Sequence, residues 1–102
     1  MLLSFDGGGS KTAVQLCDLQ GRVLAEETID TIDYGQIGIP QVAARLKAGL
    51  NAVLRRSGKE EKALAGITVG LPRLGEIPAE SRDLEQAVRE VFPATARVFP
   101  VN

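Results

Sequence analysis

The apolar positions of the chain change their period several times, and each change marks an element. Residues 1–6 (MLLSFD) form a short apolar run ended by Asp6, which predicts a central strand buried on both faces. From 12 to 18 the pattern alternates, with Val14 and Leu16 facing one way and Ala13, Gln15 and Cys17 the other. Residues 19–22 (LQGR) read as a turn, and 23–29 as a third extended run. Connections this short force an antiparallel meander. A loop is expected from Tyr34 to Gly38.

The period then becomes helical. Pro40 suits the first turn of a helix whose apolar stripe is Val42, Leu46, Leu50, Val53 and Leu54, ending near Arg55, Arg56 and Gly58. Residues 59–62 (KEEK) read as a solvated linker, and 63–71 as a buried strand that stops at Gly70-Leu71-Pro72. A second helix is expected over 79–92, with Leu84, Ala87, Val88 and Val91 on its apolar face and Pro93 closing it. A last strand covers 97–101. The predicted fold class is α/β, a five-stranded mixed sheet in the order β-β-β-α-β-α-β within one domain, residues 1–102.

Composition narrows the function classes. Twelve basic against 13 acidic residues, a net charge of −1, give no electrostatic footprint for nucleic acid or an anionic membrane, so neither is an expected partner. Four aromatic residues leave no platform on which single strands could stack. Histidine is absent, which removes the commonest general base and metal ligand. Cys17 is the one cysteine, so no internal disulfide forms and a reducing, cytoplasmic setting is expected. The first apolar run is too short for a signal peptide or a membrane span.

Candidate chemistry sits where the first strand stops. Three glycines, Gly7 to Gly9, separate Asp6 from Ser10-Lys11-Thr12. A P-loop needs glycine directly before Lys-Ser/Thr and then a helix; here Ser10 precedes Lys11 and a strand pattern follows. A dinucleotide fingerprint fails for the same missing helix. What remains is a glycine-rich hairpin whose backbone N–H groups form an anion-binding concavity, with Asp6 at the strand's carboxyl end placed to hold Mg²⁺ through water. If the first, fourth and fifth strands are parallel, Asp6, Gly70-Leu71-Pro72 and Asn102 converge on one cleft, because ligands of open α/β sheets lie beyond the carboxyl ends of the strands.

The stretches "FDGGGSKT", "DYGQIG", "GLP" and the terminal "FPVN" resemble the N-terminal lobe of the BadF/BadG/BcrA/BcrD-type ATPases and the related N-acetylglucosamine kinases, members of the actin-like ATPase superfamily. The resemblance covers essentially the whole chain, and "DGGGSKT" is its most specific part. It implies a ribonuclease H-like lobe with a further helix after the fifth strand, and a second lobe holding the adenosine site. Asp6 would position Mg²⁺, and Gly7, Gly8, Gly9, Ser10 and Thr12 would contact the phosphates of ATP, with Lys11 neutralising their charge. Asn102 matches an asparagine that binds a substrate hydroxyl, and Asp33 and Gly70 fall on the substrate side of the cleft. Asp33 stands where the sugar kinases tend to carry asparagine, which departs from an amino-sugar site.

The implied activity is γ-phosphoryl transfer from ATP to a small-molecule acceptor such as an amino sugar, inactive in this lobe alone. The alternatives are an ATPase that activates 2-hydroxyacyl-CoA dehydratases and a non-catalytic ribonuclease H-like interaction module. In the first, cysteines hold an iron–sulfur cluster, whereas Cys17 reads as a small buried strand residue. Repressor-type relatives carry a DNA-binding segment ahead of the glycine loop, but only five residues precede Asp6. A sheet face left uncovered by the missing helix predicts self-association as a homodimer.

Overall fold

In a computed structural model describing residues 1–102, the glycine-ended run forms strand β1 (Leu2–Gly7), the middle strand of a five-stranded mixed sheet. The chain continues through β2 (Lys11–Cys17), β3 (Val23–Asp30), α1 (Tyr34–Ile37), α2 (Ile39–Ser57), a 3₁₀ turn (Glu61–Ala63), β4 (Gly66–Gly70), α3 (Pro78–Val91) and β5 (Arg97–Val101). In space the strands lie in the order β3-β2-β1-β4-β5. The first three form an antiparallel meander, whereas β4 runs parallel to β1 and β5 parallel to β4. Parallel pairing needs long crossovers, and α2 and α3 supply them.

Local chemistry sets the bounds of both crossover helices. Pro40 sits in the first turn of α2, where its missing N–H is harmless, and Arg55 and Arg56 face the negative end of the helix dipole. Gly58 ends it in the left-handed region at φ 69°. Val42, Leu46, Leu50 and Val53 recur at helical spacing, and all four are fully buried. Helix α3 begins on Pro78 and buries Leu84 and Val88. Its closing residue, Phe92, meets Phe5 with ring centroids 5.9 Å apart. Leu3, Phe5, Val14, Leu16, Ile67 and Val69 face these helices and join them in one core.

Two elements differ from the sequence reading. Strand β1 is covered on one face only: Leu3 and Phe5 are buried, whereas Leu2 and Asp6 are exposed and Ser4 lies between. Both crossover helices pack on one side of the sheet, so nothing covers the other. That open face carries Leu2, Cys17, Thr68, Phe99 and Val101, with an apolar groove of about 390 Å³ between Leu2, Leu19 and Phe99. The second difference is α1, one helical turn in the stretch expected to be a loop. No helix is long and apolar enough to cross a membrane.

Candidate functional site

The parallel arrangement brings three strand ends to one place. Asp6 and Gly7 to Gly9 at the end of β1, Gly70 to Pro72 at the end of β4, and Val101 with Asn102 at the end of β5 line a single open cleft of about 380 Å³. Ser4 and Thr68 contribute its floor from the uncovered face. A volume near the lower bound of ligand pockets, about 300 Å³, suits part of a ligand rather than all of a nucleotide. Asp6 projects from the exposed face of β1, and its register partners are Ala13 and Gly70, neither of which can neutralise it.

The three glycines have three different surroundings. A Cβ on Gly7 would lie 2.5 Å from the carbonyl oxygen of Gly70 and 2.8 Å from the side chain of Ile32. On Gly8 it would approach the Lys11 carbonyl at 3.3 Å, and on Gly9 it would meet nothing within 4 Å. Gly7 is therefore demanded by the packing of β1 on β4. Gly9 faces open space. Within the hairpin the Gly8 amide donates to the Lys11 carbonyl at 2.8 Å, while the amides of Gly9 and Ser10 donate to no group of the chain. Two unpaired donors on adjacent residues, beside a carboxylate, form a site able to take an anion and a cation together.

Other sequence-predicted residues lie elsewhere. Thr12 is fully buried and its hydroxyl donates to the Asp30 carbonyl at 3.0 Å, so it faces the core and not the cleft. Lys11 and Ser10 are exposed but do not line the cleft, and Lys11 lies towards the β3 edge beside Asp30 and Arg45. Asn102 does line it, with its side-chain amide donating to the Leu74 carbonyl at 2.8 Å. Cys17 is half-buried on the open sheet face, within 3.5 Å of the Gln15 side-chain oxygen.

Asp33 is the clearest correction. It is 4% exposed, and both carboxylate oxygens are occupied. One accepts the Gly35 amide at 3.0 Å, the other the Gln36 side chain at 3.0 Å, and Arg73 Nε reaches the two at 2.8 and 3.1 Å. Its carboxylate therefore caps α1 and holds Arg73, with no lone pair turned to a substrate. Burial alone would push its pKa up, but the hydrogen bonds from Gln36, Arg73 and Gly35 outweigh it and hold the carboxyl below its usual value of about 3.8. Arg73, missed from sequence, sits at φ 70°, and its side chain lies where a Cβ on Gly35 would be, 2.6 Å from Nε. Gly35 is thus the residue that lets Arg73 reach Asp33.

A carboxyl depressed on folding stabilises the protein fully above its unfolded value, and that contribution is lost as pH falls through the lower folded value. Asp33→Ala is expected to cost about 1 kcal/mol at pH 7, through loss of the α1 cap and of the hydrogen bonds from Arg73 and Gln36, whose side chains are themselves solvent-accessible. Urea melts at pH 7 and pH 3 check this: the gap between variant and wild type should narrow at pH 3. An equal gap at both would show that the charge of Asp33 contributes nothing.

As a metal centre the cleft is sparse. No three carboxylate or cysteine side chains come together anywhere in the chain. A donor set of one exposed carboxylate suits a hydrated Mg²⁺ that completes its shell with phosphate oxygens and water, and suits neither a structural zinc nor a caged calcium ion. No family model matches the chain, and no curated protein matches it in sequence.

Proposed function

We propose that this chain is the phosphate-binding N-terminal lobe of an ATP-dependent phosphotransferase or ATPase, of ribonuclease H-like, actin-like type. One observation carries the reading: Asp6 and Gly7 to Gly9 line the mouth where three parallel strands end, and the Gly9 amide there, like that of Ser10 just beyond the lining, has no partner in the chain. The amides of Gly9 and Ser10 take phosphate oxygens. Asp6 would hold Mg²⁺ through water, and the ion would supply neutralisation of the phosphate charge. The adenosine and most of the acceptor are bound by a second lobe, so the chain alone performs no turnover.

The occupied state of Asp33 bears on the acceptor. With its oxygens taken by Arg73, Gln36 and Gly35, it offers nothing to a sugar hydroxyl. Gly70 and Asn102 remain as acceptor contacts, which favours an ATPase or a kinase for an acceptor other than an amino sugar. Binding of Mg-ATP to the chain alone is expected to be weaker than about 1 mM, roughly 4 kcal/mol. Calorimetry that finds micromolar affinity, or steady ATP hydrolysis by the pure chain, would overturn the one-lobe reading.

The open sheet face belongs to the same proposal. Leu2, Phe99 and Val101 are each about half exposed, and the outer edge of β5 has no neighbouring strand. Two copies related by a two-fold axis bury that stripe and pair the two edges, so a homodimer is expected in solution. Light scattering coupled to size exclusion at tens of micromolar should give twice the chain mass; a clean monomer would contradict it.

A further inference from the structure

A hairpin tip made of Gly8, Gly9 and Ser10 should be the loosest backbone in the protein, yet two side chains, one from the connection after β3 and one from α1, hold it. The Thr31 hydroxyl donates to the Gly8 carbonyl at 2.8 Å, and the Gln36 side-chain amide donates to the Gly9 carbonyl at 2.8 Å. Every peptide bond in the chain is trans. In a trans peptide plane the carbonyl and the following N–H point in opposite directions. Drawing the Gly8 carbonyl towards Thr31 therefore turns the Gly9 amide away from it. Drawing the Gly9 carbonyl towards Gln36 does the same to the Ser10 amide. These are the two amides of the hairpin tip that have no partner in the chain.

Both clamping side chains are themselves fixed. Thr31 Oγ1 accepts the Asp33 amide at 3.1 Å, and the Thr31 carbonyl accepts from Arg45 at 2.7 Å. Gln36 also donates to Asp33, and Asp33 is gripped by Arg73, next to Pro72 of the cleft lining. The connection runs from the turn after β4, through one carboxylate, to the hairpin after β1.

We infer that Thr31 and Gln36 are positioning residues that hold the Gly9 and Ser10 amides turned outward as a preformed phosphate cradle, with the Asp33–Arg73 pair as their support. This rests on the phosphate reading proposed above for what the cradle receives, but not for the clamp. Gln36 is exposed, so Gln36→Met, close in length and without a donor, should fold normally; Thr31→Val removes the other donor from a buried position.

The test has two readouts on the whole chain: backbone ¹⁵N order parameters at Gly9 and Ser10, and the dissociation constant of magnesium tripolyphosphate from amide shifts. In Gln36→Met, the order parameters should fall from about 0.85 towards 0.6 while those of α3 stay put. Tripolyphosphate should bind at least fivefold more weakly. Unchanged order in Gln36→Met overturns the clamp, and lost order with unchanged affinity overturns its role as a positioner. Wild-type protein that binds no tripolyphosphate overturns the phosphate reading instead, and the relaxation data still decide the clamp. A Thr31→Val variant that folds should show the same losses centred on Gly8 and Gly9; one that does not fold leaves the decision with Gln36→Met.

Discussion

Gly7→Ala is expected to be the most destructive single-methyl change in the protein, and Gly9→Ala one of the mildest. A Cβ at Gly7 would sit 2.5 Å from the Gly70 carbonyl oxygen, a distance at which backbone must move. The atom it strikes belongs to β4, the parallel partner of β1, and Asp6 and Gly70 are paired in that ladder. Relief therefore requires the two central strands to part at the end that forms the cleft. Ile32, fully buried, blocks the other direction at 2.8 Å. Overpacking of this kind costs about 3 kcal/mol or more. For a domain near 100 residues that lowers Tm by roughly 12–20 °C.

At Gly9 a Cβ meets nothing, so Gly9→Ala should move Tm by no more than a few degrees. Gly9→Val should also fold, yet weaken magnesium tripolyphosphate binding, because the side chain enters the space where phosphate would approach. Thermal melts of the three variants check the contrast. Equal losses at Gly7 and Gly9 would mean that the hairpin packs differently.

Asp6→Asn is expected to keep the fold and remove the Mg²⁺ dependence of ATP binding. The side chain is exposed and no ion pair or hydrogen bond of the fold uses it, so stability should be unchanged within about 0.5 kcal/mol. Asparagine keeps the shape and loses the charge that attracts a divalent ion. In a complete two-lobed enzyme, turnover should fall by about a hundredfold or more, because the metal neutralises charge that grows on the transferring phosphoryl group. A variant that still responds to Mg²⁺ as wild type does would return Asp6 to the role of a turn residue.

Much of this fold was legible because the pattern and the punctuation agree. Pro40, the stripe from Val42 to Leu54 and the basic last turn mark α2 without ambiguity, and the Thr12-Val14-Leu16 alternation marks β2. The same alternation already placed Thr12 on the buried side, and reading its hydroxyl as a phosphate contact set that signal aside. In β1, Leu2 beside Leu3 masked a period of two that Ser4 and Asp6 kept, so this strand read as buried on both faces although an open face was expected further along the sheet.

Helix α1 was hidden by Gly35, a poor helix former, although Asp33 followed by Gln36 three residues later is the spacing of a capping box. The Asp33–Arg73 pair spans 40 positions of sequence, and no local signal announces a contact set by tertiary packing. Within the cleft, the grouping of Asp6, the glycines, Gly70 and Asn102 followed from where strands end. Which glycine is structural and which is open depends on neighbours that only the folded chain supplies.

Asp6 and the Gly9 and Ser10 amides are expected to act as one site for a magnesium-bound phosphate chain. Titrating the ¹⁵N-labelled chain with ATP, with and without Mg²⁺, tests it most directly. Amide shifts are expected to be confined to Asp6 through Ser10 and Gly70, to grow into the millimolar range, to depend on Mg²⁺, and to lose that dependence in Asp6→Asn. Shifts confined to the open sheet face around Leu2 and Phe99, or no shifts at 10-fold above about 1 mM ATP, would contradict it.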